Sequence, residues 1–343
     1  MQKVDLRSDT VTLPTEKMRL AMASASVGDD VYAEDPTINL LEQTIAKACN
    51  MEEAVFTASG TMGNQTALMS YLHMGDELIC EEGAHIFNSE VGGIAALSGA
   101  QGRIVKAEDG ILTPELVAPY IRSTTDIHQP HTKIVCLENT HNRAGGTCYT
   151  LEQLQAIYNL SRERNFAVHM DGARIMNAVV AMKYSLADVA KYVDSISICL
   201  SKGLGAPVGA VVVGNKEFTK KVRRMRKRLG GGMRQAGILA AAGLIAFNEM
   251  VDRLAEDHQR AKTLAVACEE LGLKANADKV VTNIIIVEDA NSEKIVEKLG
   301  ERGVMINNFG LNKFRFVTHY SIDDQAIAYT IEQLKAVVPT LKN

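Results

Sequence analysis

Lys202 follows an apolar run, Ser195–Leu200, and stands among glycines in Leu200-Ser201-Lys202-Gly203-Leu204-Gly205. An amine at the mouth of a buried strand, partly desolvated, can attack a carbonyl and form a Schiff base. Asp171 ends a similar run, Phe166-Ala167-Val168-His169-Met170, and opens Gly172-Ala173-Arg174. A carboxylate so placed is costly to ionise unless a partner compensates it. One partner is the protonated ring nitrogen of pyridoxal phosphate (PLP), whose capacity as an electron sink a nearby carboxylate strengthens. The other is Arg174, in an ion pair that merely caps the following helix. The spacing of 31 positions between Asp171 and Lys202 (202 − 171) leaves room for one helix and one strand, which sets the two on neighbouring strand ends.

A third segment, Ala58-Ser59-Gly60-Thr61-Met62-Gly63-Asn64-Gln65, follows a strand and opens an apolar helical run through Leu68, Met69 and Leu72. Glycines there let backbone approach an anion, and the unpaired N–H groups and dipole of a helix start favour negative charge. Ser59 and Thr61 add hydroxyls. The pattern is neither GxGxxG nor GxxxxGK[ST], so it is not a dinucleotide or P-loop signature. By itself it reads equally well as a tight structural turn. A phosphate turn, an aspartate and a lysine in this order carry far more than any one of them.

His85 follows the strand candidate Glu77–Cys80, where an imidazole could lie flat on a cofactor ring. His128 falls in the loop Asp126-Ile127-His128-Gln129-Pro130. A solvated or merely structural histidine is the default at both places. The eight histidines show no HExxH or related spacing, and no metal site is expected. From Lys216 to Arg228 the chain carries eight lysines and arginines. A solvated helix face is the simpler reading, because nucleic-acid binding would call for aromatic interleaving and Phe218 is the single ring.

These residues need a scaffold. Short runs rich in β-branched residues (Ala54–Phe56, Glu77–Cys80, Gly102–Val105, Ile134–Leu137, Ala167–Met170, Ser195–Leu200 and Val208–Val213) alternate with amphipathic stretches such as Leu151–Arg164. Such alternation implies an α/β fold, with a mainly parallel seven-stranded sheet covered on both faces. Open sheets of this kind bind ligands at the carboxyl ends of their strands. Those ends carry Glu81-Glu82-Gly83-Ala84-His85, Glu138-Asn139-Thr140-His141-Asn142, Asp171 to Arg174, and Ser201-Lys202-Gly203. Four polar clusters in corresponding places imply one shared site. A long helical pattern then runs from about 234 to 271. Strand (283–287), helix (292–302), strand (314–318) and helix (322–338) patterns complete a small α+β domain. The expected division is a large domain over 1–250, including the N-terminal segment, and a small one over 251–343.

The 343 residues exceed what one core usually organises, and 46% apolar content supplies ample material for burial. A net charge of −4 excludes polyanion binding by bulk charge. Six cysteines stand singly with no CxxC, several within apolar runs, as expected for buried free thiols in a reducing compartment. MQKVDLRSDT lacks an apolar signal region, and the longest apolar stretch, Ile238 to Phe247, is far short of the ~20 residues that span a bilayer. A cytoplasmic protein with no membrane partner is expected.

At these residues the sequence resembles the low-specificity L-threonine aldolases, nearly end to end. The resemblance is carried by Asp5-Leu6-Arg7-Ser8-Asp9-Thr10-Val11-Thr12, Gly28-Asp29-Asp30-Val31-Tyr32, Ser59 to Asn64, Glu138 to Asn142, His169 to Arg174, Leu200 to Gly205, Gly230 to Gln235 and Phe316-Val317-Thr318-His319. It implies the aspartate-aminotransferase-like fold (PLP fold type I), in a homotetramer whose sites are shared between subunits. It further implies roles: Lys202 as the Schiff-base lysine, Asp171 on the pyridinium, His85 stacked on the ring, and Gly60 and Thr61 on the phosphate. Arg234 and Lys227 would assist from a neighbouring chain, while Ser8, Arg174 and Arg315 would hold the substrate carboxylate. The implied reaction is aldehyde-lyase cleavage of L-threonine or L-allo-threonine to glycine and acetaldehyde, through an external aldimine and a quinonoid, with His85 or His128 as base. A PLP β-eliminating lyase or serine-hydroxymethyl-type retro-aldolase stands second, and a basic-helix interaction module third. Two positions depart from the family pattern: Ala33 where glycine is usual, and Asn88 where an aromatic residue is usual.

Overall fold

The computed structural model describes residues 3–341. Seven strands form the central sheet: β1 (Glu53–Thr57), β2 (Glu77–Glu81), β3 (Gln101–Val105), β4 (Thr132–Glu138), β5 (Ala167–Gly172), β6 (Ser195–Cys199) and β7 (Ala210–Gly214). They lie in the order β1-β7-β6-β5-β4-β2-β3. The sheet is mainly parallel, as expected, with β7 antiparallel to both β1 and β6. Successive residues of one strand feed opposite faces. Ile79 and Val135 enter the largest apolar cluster, whereas Leu78, Cys80, Ile134 and Cys136 enter a second cluster beneath the other face. Burial on both faces explains why these strands read as continuous apolar runs.

Strand ends differ from the sequence reading where polar residues stay in the ladder. Asp171 and Gly172 belong to β5, paired with Ser197 and Ile198 of β6, so the carboxylate is fixed by sheet register and not by a loop. Val208 and Gly209 lie outside β7. Gly209 has φ 103°, and a Cβ there would sit 2.5 Å from the Phe56 ring.

Helix α1 (Gly60–Tyr71) begins just after β1 with Ser59 as its cap, and α2 (Lys216–Arg228) is the basic helix. Two of its arginines act within the chain: Arg223 binds Glu42, and Arg226 joins Asp30 at 2.6 Å and the Phe56 carbonyl at 2.8 Å. The helical pattern from 234 to 271 is two helices, α3 (Gly237–Glu249) and α4 (Leu254–Glu270). The break holds no glycine or proline; it is marked by Arg253, which grips Asp257 one turn into α4.

The small three-stranded sheet, Asn307–Asn308, Lys313–Val317 and Ile284–Glu288, packs with helices Ser292–Glu301 and Asp324–Leu341. Val4–Asp5 pairs with Val304–Met305, and Val4 and Leu6 are buried in that second core. A few residues later the Thr12 hydroxyl donates to the Lys202 carbonyl at 2.9 Å. The N-terminal segment therefore ties the small core to the strand ends of the large sheet.

Ala33, one of the two departures from the family pattern, has φ 60° and ψ 28° after the turn Asp30–Tyr32. A left-handed L-residue costs roughly 1–2 kcal/mol, partly offset because glycine loses more entropy on folding. Ala33→Gly is expected to stabilise the protein by about 0.5–1 kcal/mol, read as a rise in the denaturation midpoint. A fall in the midpoint would contradict the strain assigned to this position.

Candidate active site

The first turn of α1 is pressed onto the end of β6. A Cβ on Gly60 would lie 2.5 Å from Cys199 Sγ, and one on Gly63 would lie 2.6 Å from Ser197 Oγ, so this approach is open to glycine alone. Ser59 is the helix cap, its Oγ accepting from the Met62 N–H. Among the described residues the N–H groups of Gly60 and Thr61 have no partner, as at any exposed helix start. Gly231 abuts Met62 in the same turn, which brings the glycine run beside the helix start. Lys227 is exposed there, and Arg234 is half-exposed with a hydrogen bond to Asp29 at 2.9 Å.

Asp171 does not pair with Arg174. Its Oδ1 accepts from the Ala173 N–H at 3.0 Å and its Oδ2 from the Asn64 amide at 2.8 Å. The same amide nitrogen donates to Glu90 Oε1 at 2.8 Å. Glu90 also faces His85 Nδ1 at 2.8 Å. The hydrogen bond to Glu90 raises the His85 pKa; burial and Lys202 oppose it, and the charges of Asp171 and Glu90 add to it. Polar atoms of His85, Glu90 and Asp171 lie within 4.8 Å of one another. A cation does not suit that cluster, because the Asn64 NH2 donates to both carboxylates from the space between them.

Arg174 is paired elsewhere, its Nε and a terminal nitrogen donating to the two oxygens of Asp9 at 2.7 and 2.6 Å. Burial alone would raise the Asp9 carboxyl. The charge and hydrogen bonds of Arg174, with Lys202 and Asn283, outweigh it and bring the pKa down to about 2. Arg315 lies close enough for its charge to oppose that of Arg174; burial first, and then that repulsion, lower its pKa to about 10. Arg315 donates to Asn142 Oδ1 at 2.9 Å and to the Arg7 carbonyl at 3.1 Å, next to Ser8, and stacks on Phe309. Its Nε has no partner. Asp9 is bonded to Arg174, and no carboxylate is among the hydrogen-bond partners of Arg315, so two buried guanidiniums side by side favour a further anion with planar, bidentate geometry. Lys202 Nζ sits 3.6 Å from Cys199 Sγ.

The structure thus gathers Lys202, Asp171, His85, Arg174, Arg315, Gly60 and the N-terminal Ser8 around the carboxyl ends of β2, β4, β5 and β6. His128 is exposed in the loop between β3 and β4, bound to Asp126 at 3.0 Å, and no described contact joins it to the cluster. Asn88 holds the Glu82 and Ala84 carbonyls and so has a local structural role. Sequence reasoning did not single out Glu90, Asn64 or Asp9 for a role. Asn64 and Asp9 stood inside conspicuous segments, whereas Glu90 carries no motif.

The Asp9–Arg174 pair predicts an acid limb of stability. The folded carboxyl titrates at about 2 against an ordinary 3.8, so its stabilising contribution is complete above pH 4 and lost as pH falls towards 2. In Asp9→Asn, denaturant midpoints should lie below wild type at pH 7. They should also vary less between pH 4 and pH 2, by about 2 kcal/mol. Equal slopes in the two proteins would exclude this pair as the source.

A family model described as Beta-eliminating lyase matches residues 5–291. The low specificity L-threonine aldolase of Escherichia coli (strain K12) is 44% identical over 328 residues, 95% of this chain and 96% of that one. The probable low-specificity L-threonine aldolase 2 of Arabidopsis thaliana is 42% identical, covering 96% of each chain. Among solved structures, the threonine aldolase of Leishmania major superposes with a TM-score of 0.86 over 98% of this chain and 99% of that one, at 20% identity. Serine palmitoyltransferase of Sphingomonas wittichii gives 0.80 at 16% identity, over 100% and 88%. These likenesses establish the fold as PLP fold type I. With a lysine and a buried carboxylate on its strand ends, two buried guanidiniums beside them, and kinship along nearly its whole length, the chain belongs to the beta-eliminating lyase family, among the low-specificity L-threonine aldolases.

Proposed function

We propose that this protein is a PLP-dependent aldehyde-lyase that cleaves L-threonine and L-allo-threonine to glycine and acetaldehyde. The observation that carries the reading is that Lys202, 3.6 Å from Cys199 Sγ, and buried Asp171 both act by their charge on His85 and Cys199, while Arg174 acts on Cys199 and on Arg315. The residues suit the cofactor. Lys202 would bond its carbonyl carbon, Asp171 would face its ring nitrogen, and His85 would lie against the ring. The free N–H groups of Gly60 and Thr61 would hold its phosphate, with Ser59 fixing the helix start and Lys227 and Arg234 adding positive charge nearby. When bound, PLP supplies an acceptor for the electron pair released at the amino acid Cα.

The chain's own groups do the rest. Arg174, oriented by Asp9, and Arg315, oriented by Asn142, grip the substrate carboxylate beside Ser8. This anchoring aligns the Cα–Cβ bond for cleavage. His85 takes the β-hydroxyl proton as that bond breaks and acetaldehyde departs; a proton returned to Cα completes glycine. His85 is preferred to His128 as base because it alone of the two joins the buried cluster. β-Elimination would use the same lysine and aspartate and differ in its products, pyruvate and ammonia. A serine-hydroxymethyl-type cleavage would differ in the aldehyde released.

The assembly proposed is a homotetramer in the cytoplasm, with sites shared between subunits. Large apolar side chains left exposed on the single chain, including Tyr32, Met74, Val91 and Ile127, support an assembly. Six free cysteines support a reducing compartment. Among the described residues no helix is long and apolar enough to cross a membrane.

Purified protein with PLP is expected to show the yellow absorbance of a lysine-linked cofactor and to release acetaldehyde and glycine from both threonine isomers. Lys202→Ala should lose that absorbance and the activity; normal turnover in this variant would overturn the assignment. Arg315→Lys should keep the absorbance and lose about 10–100-fold in kcat/KM, mostly through KM, since a charged bidentate contact is worth roughly 1.5–3 kcal/mol. An unchanged KM would remove Arg315 from the carboxylate site.

A further inference from the structure

We propose that Glu90 is a positioning residue for His85: it fixes the imidazole tautomer so that Nε2 is the atom that accepts the substrate proton. The inference rests on His85 being the base in the reaction proposed above.

Glu90 is 3% exposed and meets N–H donors on both oxygens. Asn64 donates to Oε1 and Gln65 to Oε2, at 2.8 and 2.6 Å. Asn64 has no freedom to flip. Its nitrogen lies between the carboxylates of Glu90 and Asp171, both acceptors, while its oxygen is directed towards His169 Nε2. Gln65 is held by close packing on Gly93, where a Cβ would lie 2.5 Å from the glutamine Cδ. A carboxylate so surrounded acts as acceptor, so His85 Nδ1, 2.8 Å from Oε1, is the donor. In the neutral ring the lone pair then belongs to Nε2. One amide, Asn64, thereby locks both the carboxylate that would face the cofactor nitrogen and the carboxylate that orients the base.

The charged groups acting on His85 come from several elements. Glu90 lies on its own segment, Asp171 ends β5, Lys202 follows β6, and Glu138 at the end of β4 accepts the His85 backbone N–H. Glu90 and Asp171 favour the protonated ring, and Lys202 disfavours it. Removing the Glu90 charge therefore favours the neutral ring, and the base form persists to lower pH.

The test is the pH profile of kcat/KM for L-threonine cleavage by wild-type, Glu90→Gln and Glu90→Asp holoenzymes, with the visible spectrum recorded for each. Glu90→Gln is expected to retain the cofactor absorbance. Its acid limb should move down by about one pH unit, the size of effect an adjacent opposite charge has on a pKa. Its kcat should fall about tenfold while KM stays near wild type, because the carboxylate anchors are untouched. Glu90→Asp keeps the charge but withdraws it by one methylene; its limb should move less, with a similar loss of kcat. A Glu90→Gln limb superimposed on wild type overturns the proposal. If that variant does not fold, Glu90→Asp with wild-type kcat and limb does the same. A wild-type enzyme that binds PLP yet releases no aldehyde overturns the reaction and this role together. One that cleaves threonine with unmoved limbs in both variants overturns the role alone.

Discussion

Arg174 donates two short hydrogen bonds to the fully buried Asp9 carboxylate, and much of the site depends on that pair. Separating buried partners leaves an uncompensated charge at a cost of about 3–5 kcal/mol, so neither side chain is free to move. Asp9 belongs to the N-terminal segment, whose earlier residues Val4 and Leu6 are packed into the small core, and Arg174 follows β5. The pair therefore aligns the segment, the small core and the sheet. Arg315, from the small sheet, is bound through Arg7 into the same frame. The placement of the two arginines proposed for the substrate carboxylate is thus set by how two cores are joined.

The strand ends show why so many charges coexist in a confined space. Glu138 and Asp171 face each other in the β4–β5 ladder. Burial raises the Glu138 carboxyl, against which His141 and the N–H groups of Asn142 and His85 act. His141 in turn faces Glu81 at 2.9 Å. Each carboxylate is met by N–H donors from a following loop, a neighbouring strand end or helix α1, so the acidic groups are held by several segments at once. Electrostatic groups arranged in advance, in a setting of low dielectric, need no reorganisation when charge develops on a substrate.

The fold was legible because its signals are local. β-Branched runs with alternating helical patterns specify strands buried on both faces, and seven such runs are present. Lys202, Asp171 and the Ser59–Gln65 turn were legible because each stands where an apolar run stops. Element limits were less so. The sequence sets Asp171 at the end of an apolar run whose strand stops at Met170, yet Asp171 and Gly172 remain in the ladder, paired with Ser197 and Ile198 of β6. The break between α3 and α4 carries no glycine or proline; Arg253, just before α4, grips Asp257 one turn on.

Sequence by itself determined which groups were available: one lysine and one aspartate at the ends of apolar runs, glycines where a helix start must approach a neighbouring strand, and histidines and arginines in polar segments. These follow from short-range rules of periodicity, propensity and the cost of burying charge. Tertiary structure alone decided the pairings. Arg174 pairs with Asp9, 165 positions away, in place of the nearby Asp171. Asn64 spans two carboxylates, Glu90 and Asp171, 26 and 107 positions away. Such contacts join segments whose separation along the chain carries no information about their distance in space, and only the closing of the sheet and the docking of the small core bring them within hydrogen-bond reach.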